Sequence, residues 1–197
     1  MKKKSLLNVK NLSCKKEYTT IFSNISFHLY ESSVLILKGK NGSGKTTLLH
    51  SLAGITKVEG KIAWSTHPNK IGYVGHLDAL KLNQTVIDHI KFWQNLYSFK
   101  ENMNKIIKKF GLKNQLDIPL KLLSFGQRKK IAFVRLFFAG SNIWLLDEPF
   151  SGMDKENRNL ISNLILEHTK KSGAVIVTSH QAIKLNKDIN TMEKSID

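Results

Sequence analysis

The chain holds a single cysteine, Cys14, so an intrachain disulfide framework is excluded and a reducing compartment is suited. No stretch approaches the ~20 apolar residues that cross a bilayer, so any spanning part of an assembly would come from other chains. The start MKKKSLLNVKNL lacks the long apolar segment of a secretory signal, and no arginine- and serine-rich import segment precedes the first expected strand. Internal repeats and low-complexity linkers are absent, and 197 residues suit one core rather than two domains of ordinary size. Arginine is scarce as well. Against a formal net charge of +16, the arginines are Arg128, Arg135 and Arg158, and lysine supplies the rest. Bidentate recognition of bases and phosphates favours arginine. A coding bias toward Lys and Asn, or a solvated surface, explains the charge without a partner; anionic lipid headgroups or RNA are the alternatives.

What is present begins with GKNGSGKTT at residues 39–47. Val34 to Leu37 form an uninterrupted aliphatic run, the pattern of a strand buried on both faces. From Lys45 to Ala53 the leucines Leu48, Leu49 and Leu52 fall on one helical face. The glycine-rich segment therefore joins a strand end to a helix start, where Gly39, Gly42 and Gly44 let successive N–H groups turn toward an anion. The pattern G-x-x-x-x-G-K-[ST] in that setting is a phosphate-binding loop, with Lys45 on the β- and γ-phosphates and the Thr46 hydroxyl on magnesium.

A second apolar run, NIWLLDEP, ends in Asp147, placed to organise the metal, and Glu148, placed to polarise an attacking water. A third, AVIVTSH, ends in His180. In an open parallel sheet ligands lie beyond the carboxyl ends of the strands, so Lys45, Asp147, Glu148 and His180 are expected on one edge. In LLSFGQRKK, Ser124 and Gly126 precede Ile131, Val134 and Phe138 at helical spacing, a second helix start able to meet an anion. Thr85 and Asp88 have capping-box spacing at the head of TVIDHIKFW.

GKNGSGKT, LSFGQ, IWLLDEP, SGMD and SH, in that order, resemble the Walker A, signature, Walker B, D-loop and H-loop of ATP-binding cassette (ABC) ATPases. The resemblance covers nearly the whole chain. It implies an α/β P-loop fold, with a mainly parallel sheet flanked by helices, an antiparallel β portion and a helical subdomain near 80–130, all within one domain over residues 1–197. It implies ATP and Mg2+ as cofactors and a head-to-tail homodimer. In such a dimer Gly39, Asn41, Gly42, Ser43, Gly44, Lys45, Thr46 and Thr47 hold one ATP, while Ser124, Gly126 and Gln127 of the other copy close over it. Thr46 and Asp147 would hold the metal, Glu148 would be the general base, His180 would position the γ-phosphate, and Asp154 would link the two sites. Tyr18, with Phe22 as rival, lies about where the family stacks an aromatic residue on adenine.

Within the family, GKIAW at 60–64, IGYVGH at 71–76, DIPLKLLSFGQ at 117–127, LLDEPFSGMD at 145–154 and TSHQAI at 178–183 resemble the ATPase subunits of haem exporters in cytochrome c maturation. That resemblance implies integral membrane subunits as partners. It also implies peripheral attachment on the ATP side of a membrane, either the cytoplasmic face of a bacterial inner membrane or the matrix face of a mitochondrial one. No C-x-x-C-H haem attachment motif is present and no direct haem site is expected. Nucleic acid is not expected as a partner. Another ABC transporter, or a soluble cassette acting on ribosomes or DNA, are the alternative assignments. Two positions depart from the family pattern. His76 stands where a glutamine usually ligands magnesium, and histidine is a poorer magnesium ligand. Phe125 stands in LSFGQ where glycine is usual, and its bulk is expected to crowd the γ-phosphate although the backbone N–H survives.

Overall fold

The structure is a computed structural model that describes residues 4–65, 71–75, 80–100, 102–180, 183, 185 and 188–196. His76 lies outside these described residues. Two sheets organise the chain. Strands β1 (Ser5–Lys16), β2 (Thr19–Tyr30) and β4 (Glu59–Trp64) form an antiparallel sheet in the order β2-β1-β4. Strands β3 (Ser33–Lys38), β5 (Ile71–Val74), β6 (Ile143–Leu146), β7 (Ala174–Ser179) and β8 (Asn190–Ser195) form a parallel sheet in the order β5-β6-β7-β3-β8.

The uninterrupted apolar strands divide their side chains between two cores, as a period of two requires. Val34, Ile36, Trp144, Leu146, Val175 and Val177 face one core with α4 (Phe125–Phe138) and α5 (Lys155–Lys170). Leu35, Leu37, Ile143, Leu145 and Ile176 face the other, closed by α1 (Lys45–Leu52) and the antiparallel sheet. Each such side chain contributes about 1.5–3 kcal/mol by leaving water. That sum lets the sheet hold polar groups at one end.

Helices α2 (Val86–Leu96) and α3 (Met103–Lys109) fill the stretch before α4. Thr85 and Asp88 form the reciprocal capping box expected at the start of α2. On α2, Val86 and Ile90 are fully buried against the larger core, Ile87 and Trp93 partly so. The aromatic His89 shares that buried side: Trp93 Nε1 donates to its Nε2 at 2.9 Å. His168 on α5 stacks on Trp144, ring centroids 3.9 Å apart, and its Nε2 donates to the Asn142 carbonyl at 3.0 Å.

Burial, with smaller contributions from Arg135 and Lys81, pushes His89 down from 6.5 to about 4. Burial does the same to His168, outweighing its backbone hydrogen bonds. In the unfolded chain both protonate near 6.5, whereas in the native state they stay neutral down to about 4. The unfolded state therefore binds more protons across that window, and the stability from these two groups is present above 6.5 and lost as pH falls toward 4. We expect the melting temperature to drop over this window, and to drop less in His89→Gln and His168→Gln. Scanning calorimetry in which wild type and variants follow the same slope contradicts this.

Candidate functional site

The site is built where α1 leaves β3. Gly44 caps α1 at φ 90°, a left-handed conformation with no side-chain cap, and no acidic residue occupies the first turn. The helix end is thus left with unpaired donors and its positive dipole end uncompensated. Lys45 is nearly buried, and its ammonium donates to the carbonyls of Gly39 and Lys40, each at 2.8 Å. Ser43 Oγ is buried without a partner. A side chain at Gly39 would meet Ser43 Oγ at 2.4 Å, so the loop closes only around glycine there. The loop is a concave set of donors for an anion.

Asp147 lies at the end of β6 and is 1% exposed. A carboxylate so buried must be satisfied by hydrogen bonds. Thr46 Oγ1 donates to Oδ2 at 2.8 Å and Thr178 Oγ1 to Oδ1 at 2.7 Å, while the Asp147 N–H donates to the Val74 carbonyl at 2.9 Å. Thr178 also accepts from the Glu148 N–H at 2.9 Å. That bond helps hold Glu148 at φ 46°, a conformation costing a side-chain-bearing residue about 1–3 kcal/mol. Backbone strain of this kind clusters at functional positions. Glu148 Oε1 is 3.1 Å from Nδ1 of His180, which follows the end of β7.

A cavity of about 760 Å3 is lined by Asn41, Gly42, Gly44, Lys45, Thr46, Thr47, Asp147 and Glu148, with Ile21, His50, Tyr73 and Gly75. Glu148 also borders a second cavity of about 610 Å3, which reaches His180 and the 149–153 turn. Lys45, Asp147, Glu148 and His180, expected on one edge, thus line, together with Thr46, two cavities that share Glu148. In the first cavity His50 Nε2 and the Tyr73 hydroxyl meet at 3.0 Å. Burial, and secondarily the Asp147 carboxylate, push Tyr73 up to about 12, so it remains a phenol at neutral pH.

The other expected residues lie apart from this cluster. Ser124 caps α4 in a reciprocal box with Gln127, at 3.2 and 2.8 Å, and lines neither cavity; Gly126 packs near the Gly152 carbonyl. Asp154 caps α5, accepting from Asn157 N–H at 2.8 Å. Tyr18 is fully exposed at the β1–β2 turn, while its rival Phe22 is buried beneath Gly44. The Phe125 ring lies against Gly152 of its own chain, where any added side chain would meet it at 2.8 Å. Thr178, which joins the Asp147 carboxylate to the Glu148 N–H, carries no signal of its own in the sequence beyond standing two residues before His180. His50 and Tyr73 likewise meet only through the fold.

The sequence profile described as ABC transporter matches residues 22–151. The chain is 33% identical over 196 residues to the cytochrome c biogenesis ATP-binding export protein CcmA of Paramagnetospirillum magneticum, covering 92% of this chain and 90% of that one. It is 38% identical over 167 residues to CcmA of Rickettsia bellii, covering 81% and 85%. Among solved structures, an ABC transporter ATP-binding protein from Pyrococcus furiosus superposes with a TM-score of 0.81 at 23% identity, covering 96% of both chains. The ATP-binding subunit of another ABC transporter gives 0.79 at 21% identity, covering 89% of this chain and 79% of that one. At those identities the two structures bear on the fold alone.

Removing the Thr178 hydroxyl leaves Asp147 short of a donor and the strained Glu148 N–H without an acceptor. We expect Thr178→Val to lose about 1–3 kcal/mol of stability. Urea titration at neutral pH checks this, and an unchanged midpoint would falsify the bridging role.

Proposed function

The chain belongs to the ATP-binding cassette family of ABC transporters, and from that premise we propose that it is the ATP-hydrolysing subunit of a haem exporter in cytochrome c maturation. The observation that carries the catalytic part is the arrangement of Lys45, Thr46, Asp147, Glu148 and His180 around linked cavities at the end of the parallel sheet. Lys45 and the free N–H groups of α1 bind the phosphates. Glu148 takes the proton of the attacking water, and His180, in contact with that carboxylate, positions the γ-phosphate. Magnesium fits Thr46 and Asp147, because both offer hard oxygen donors 2.8 Å apart and few protein ligands are needed when phosphate and water complete the shell. Bound there, it neutralises charge on the β- and γ-phosphates.

Two copies would associate head to tail, each offering Ser124, Gly126 and Gln127 to the ATP of the other, with Asp154 linking the sites. Exposure of Ser124 away from its own phosphate loop supports this reading. Its Oγ accepts from Gln127 N–H, which leaves the hydroxyl proton for a partner's phosphate. Tyr18, exposed on the hairpin whose Ile21 lines the phosphate cavity, is offered to adenine. Integral membrane subunits would dock on the segment that exposes Leu82, Phe92, Leu96, Tyr97 and Leu122. Among the described residues no helix is long and apolar enough to cross a membrane; attachment through those subunits would be peripheral, on the ATP side. That the relatives are export proteins of cytochrome c biogenesis supports this assignment, and the membrane would be a bacterial inner membrane or a mitochondrial one.

Glu148→Gln is expected to keep ATP binding and to lower turnover by about 10²–10⁴-fold, read by phosphate release; hydrolysis at the wild-type rate refutes the general-base assignment. Tagged chain from detergent-solubilised membranes is expected to bring down small multi-helix subunits and haem absorbance. A different permease would remove the haem assignment and keep the ATPase. Ribosomal proteins or nucleic acid, with no membrane subunit, would overturn the transporter assignment.

A further inference from the structure

Lys129 is fully buried one turn into α4. Its ammonium donates to the Gly75 carbonyl at 2.9 Å and lies 5.6 Å from the centre of the Phe125 ring. A cation withdrawn from water is costly unless it is held in good geometry, so its placement fixes α4 against the residue that follows β5. Gly75 adjoins Val74, whose carbonyl accepts the Asp147 N–H, and Val74 pairs in register with Leu146. On the same face one turn earlier, Phe125 rests on Gly152, in the short turn that begins at Glu148. The first turn of α4, capped by Ser124, is therefore tied at two points to backbone that also positions the Asp147 and Glu148 carboxylates.

We propose that Lys129 is a positioning residue that, through Gly75 and the Phe125–Gly152 contact, fixes where Ser124 stands relative to the chain's own phosphate site. Nucleotide held at Lys45 and Asp147 then sets the placement of Ser124 for the partner's nucleotide. This rests on the head-to-tail reading above. A tether of this kind acts on association and leaves the chain's own phosphate loop intact, which separates it from a general packing role.

The test uses the full chain in a Glu148→Gln background, with a fluorescent ATP analogue for binding at low protein concentration and sedimentation velocity for ATP-driven dimerisation. Lys129→Met keeps the apolar stem and deletes the donor. We expect its analogue affinity to stay within about twofold of the parent while dimerisation weakens about tenfold or more, and Lys129→Arg to restore most of it. Equal dimerisation of parent and Lys129→Met overturns the proposal, as does a parallel loss of binding and dimerisation, which marks a merely structural residue. Failure of the parent itself to dimerise with ATP removes the head-to-tail reading instead. If Lys129→Met does not fold, Phe125→Leu loosens the same turn while keeping the Lys129 donor to the Gly75 carbonyl, and undiminished dimerisation in that variant overturns the proposal.

Discussion

A carboxylate that is 1% exposed, Asp147, is the point on which the site depends. Its two oxygens take hydroxyl protons from Thr46 on α1 and Thr178 on β7, and its N–H is given to Val74 on β5. Three elements brought together from distant parts of the sequence are thus pinned to one residue. An unpaired carboxylate at that depth would cost several kcal/mol, so the elements cannot separate without exposing it or leaving it unsatisfied. The same bonds that satisfy Asp147 hold Glu148, through Thr178, in a backbone conformation it would not adopt alone. Stability and catalytic geometry here come from one set of contacts.

The phosphate loop shows the complementary arrangement. Lys45 already sits within the loop, its charge met by the Gly39 and Lys40 carbonyls, so phosphate needs only a small redirection of a side chain that is already ordered. The α1 dipole has no acidic side chain in its first turn to oppose it. Side-chain ordering is part of what binding costs, and much of it has been met on folding. What the loop does not contain is the aromatic surface for a base. Tyr18, proposed above for that role, is exposed on the antiparallel hairpin that also carries Ile21, which borders the phosphate cavity.

The parts of the fold readable from sequence are those with one strong local cause. Val34 to Leu37, the WLL of NIWLLDEP and the start of AVIVTSH are buried on both faces, and an unbroken apolar run announces this. The α2 cap is legible because Thr85 and Asp88 answer each other three residues apart. Strand β8 is not legible: Asn190 to Ser195 is polar and lies at the sheet edge, where neither alternation nor an apolar run is required. Nor are the bends of β1 and β2, where Asn11 and Asn24 take positive φ within long strands. In the site, motif residues could be named one at a time. Thr178 could not, because its role is a contact to Asp147 across 31 positions of sequence, and nothing adjacent to it in the chain demands a hydroxyl.

Phe125 shows how the fold alters the meaning of a departure from pattern. Read linearly, a bulky ring in LSFGQ would stand between a helix end and the phosphate it is to meet. In the structure the ring lies on Gly152, a position at φ 65° where a side chain would be both strained and in collision. The missing side chain at one position is the space for the extra one at the other. The N-terminal turn of α4 keeps its Ser124 cap, and the bulk is spent inside the chain, against the turn that begins at Glu148. A substitution that would obstruct a ligand if it faced outward becomes, facing inward, a contact between two of the motifs the ligand brings together.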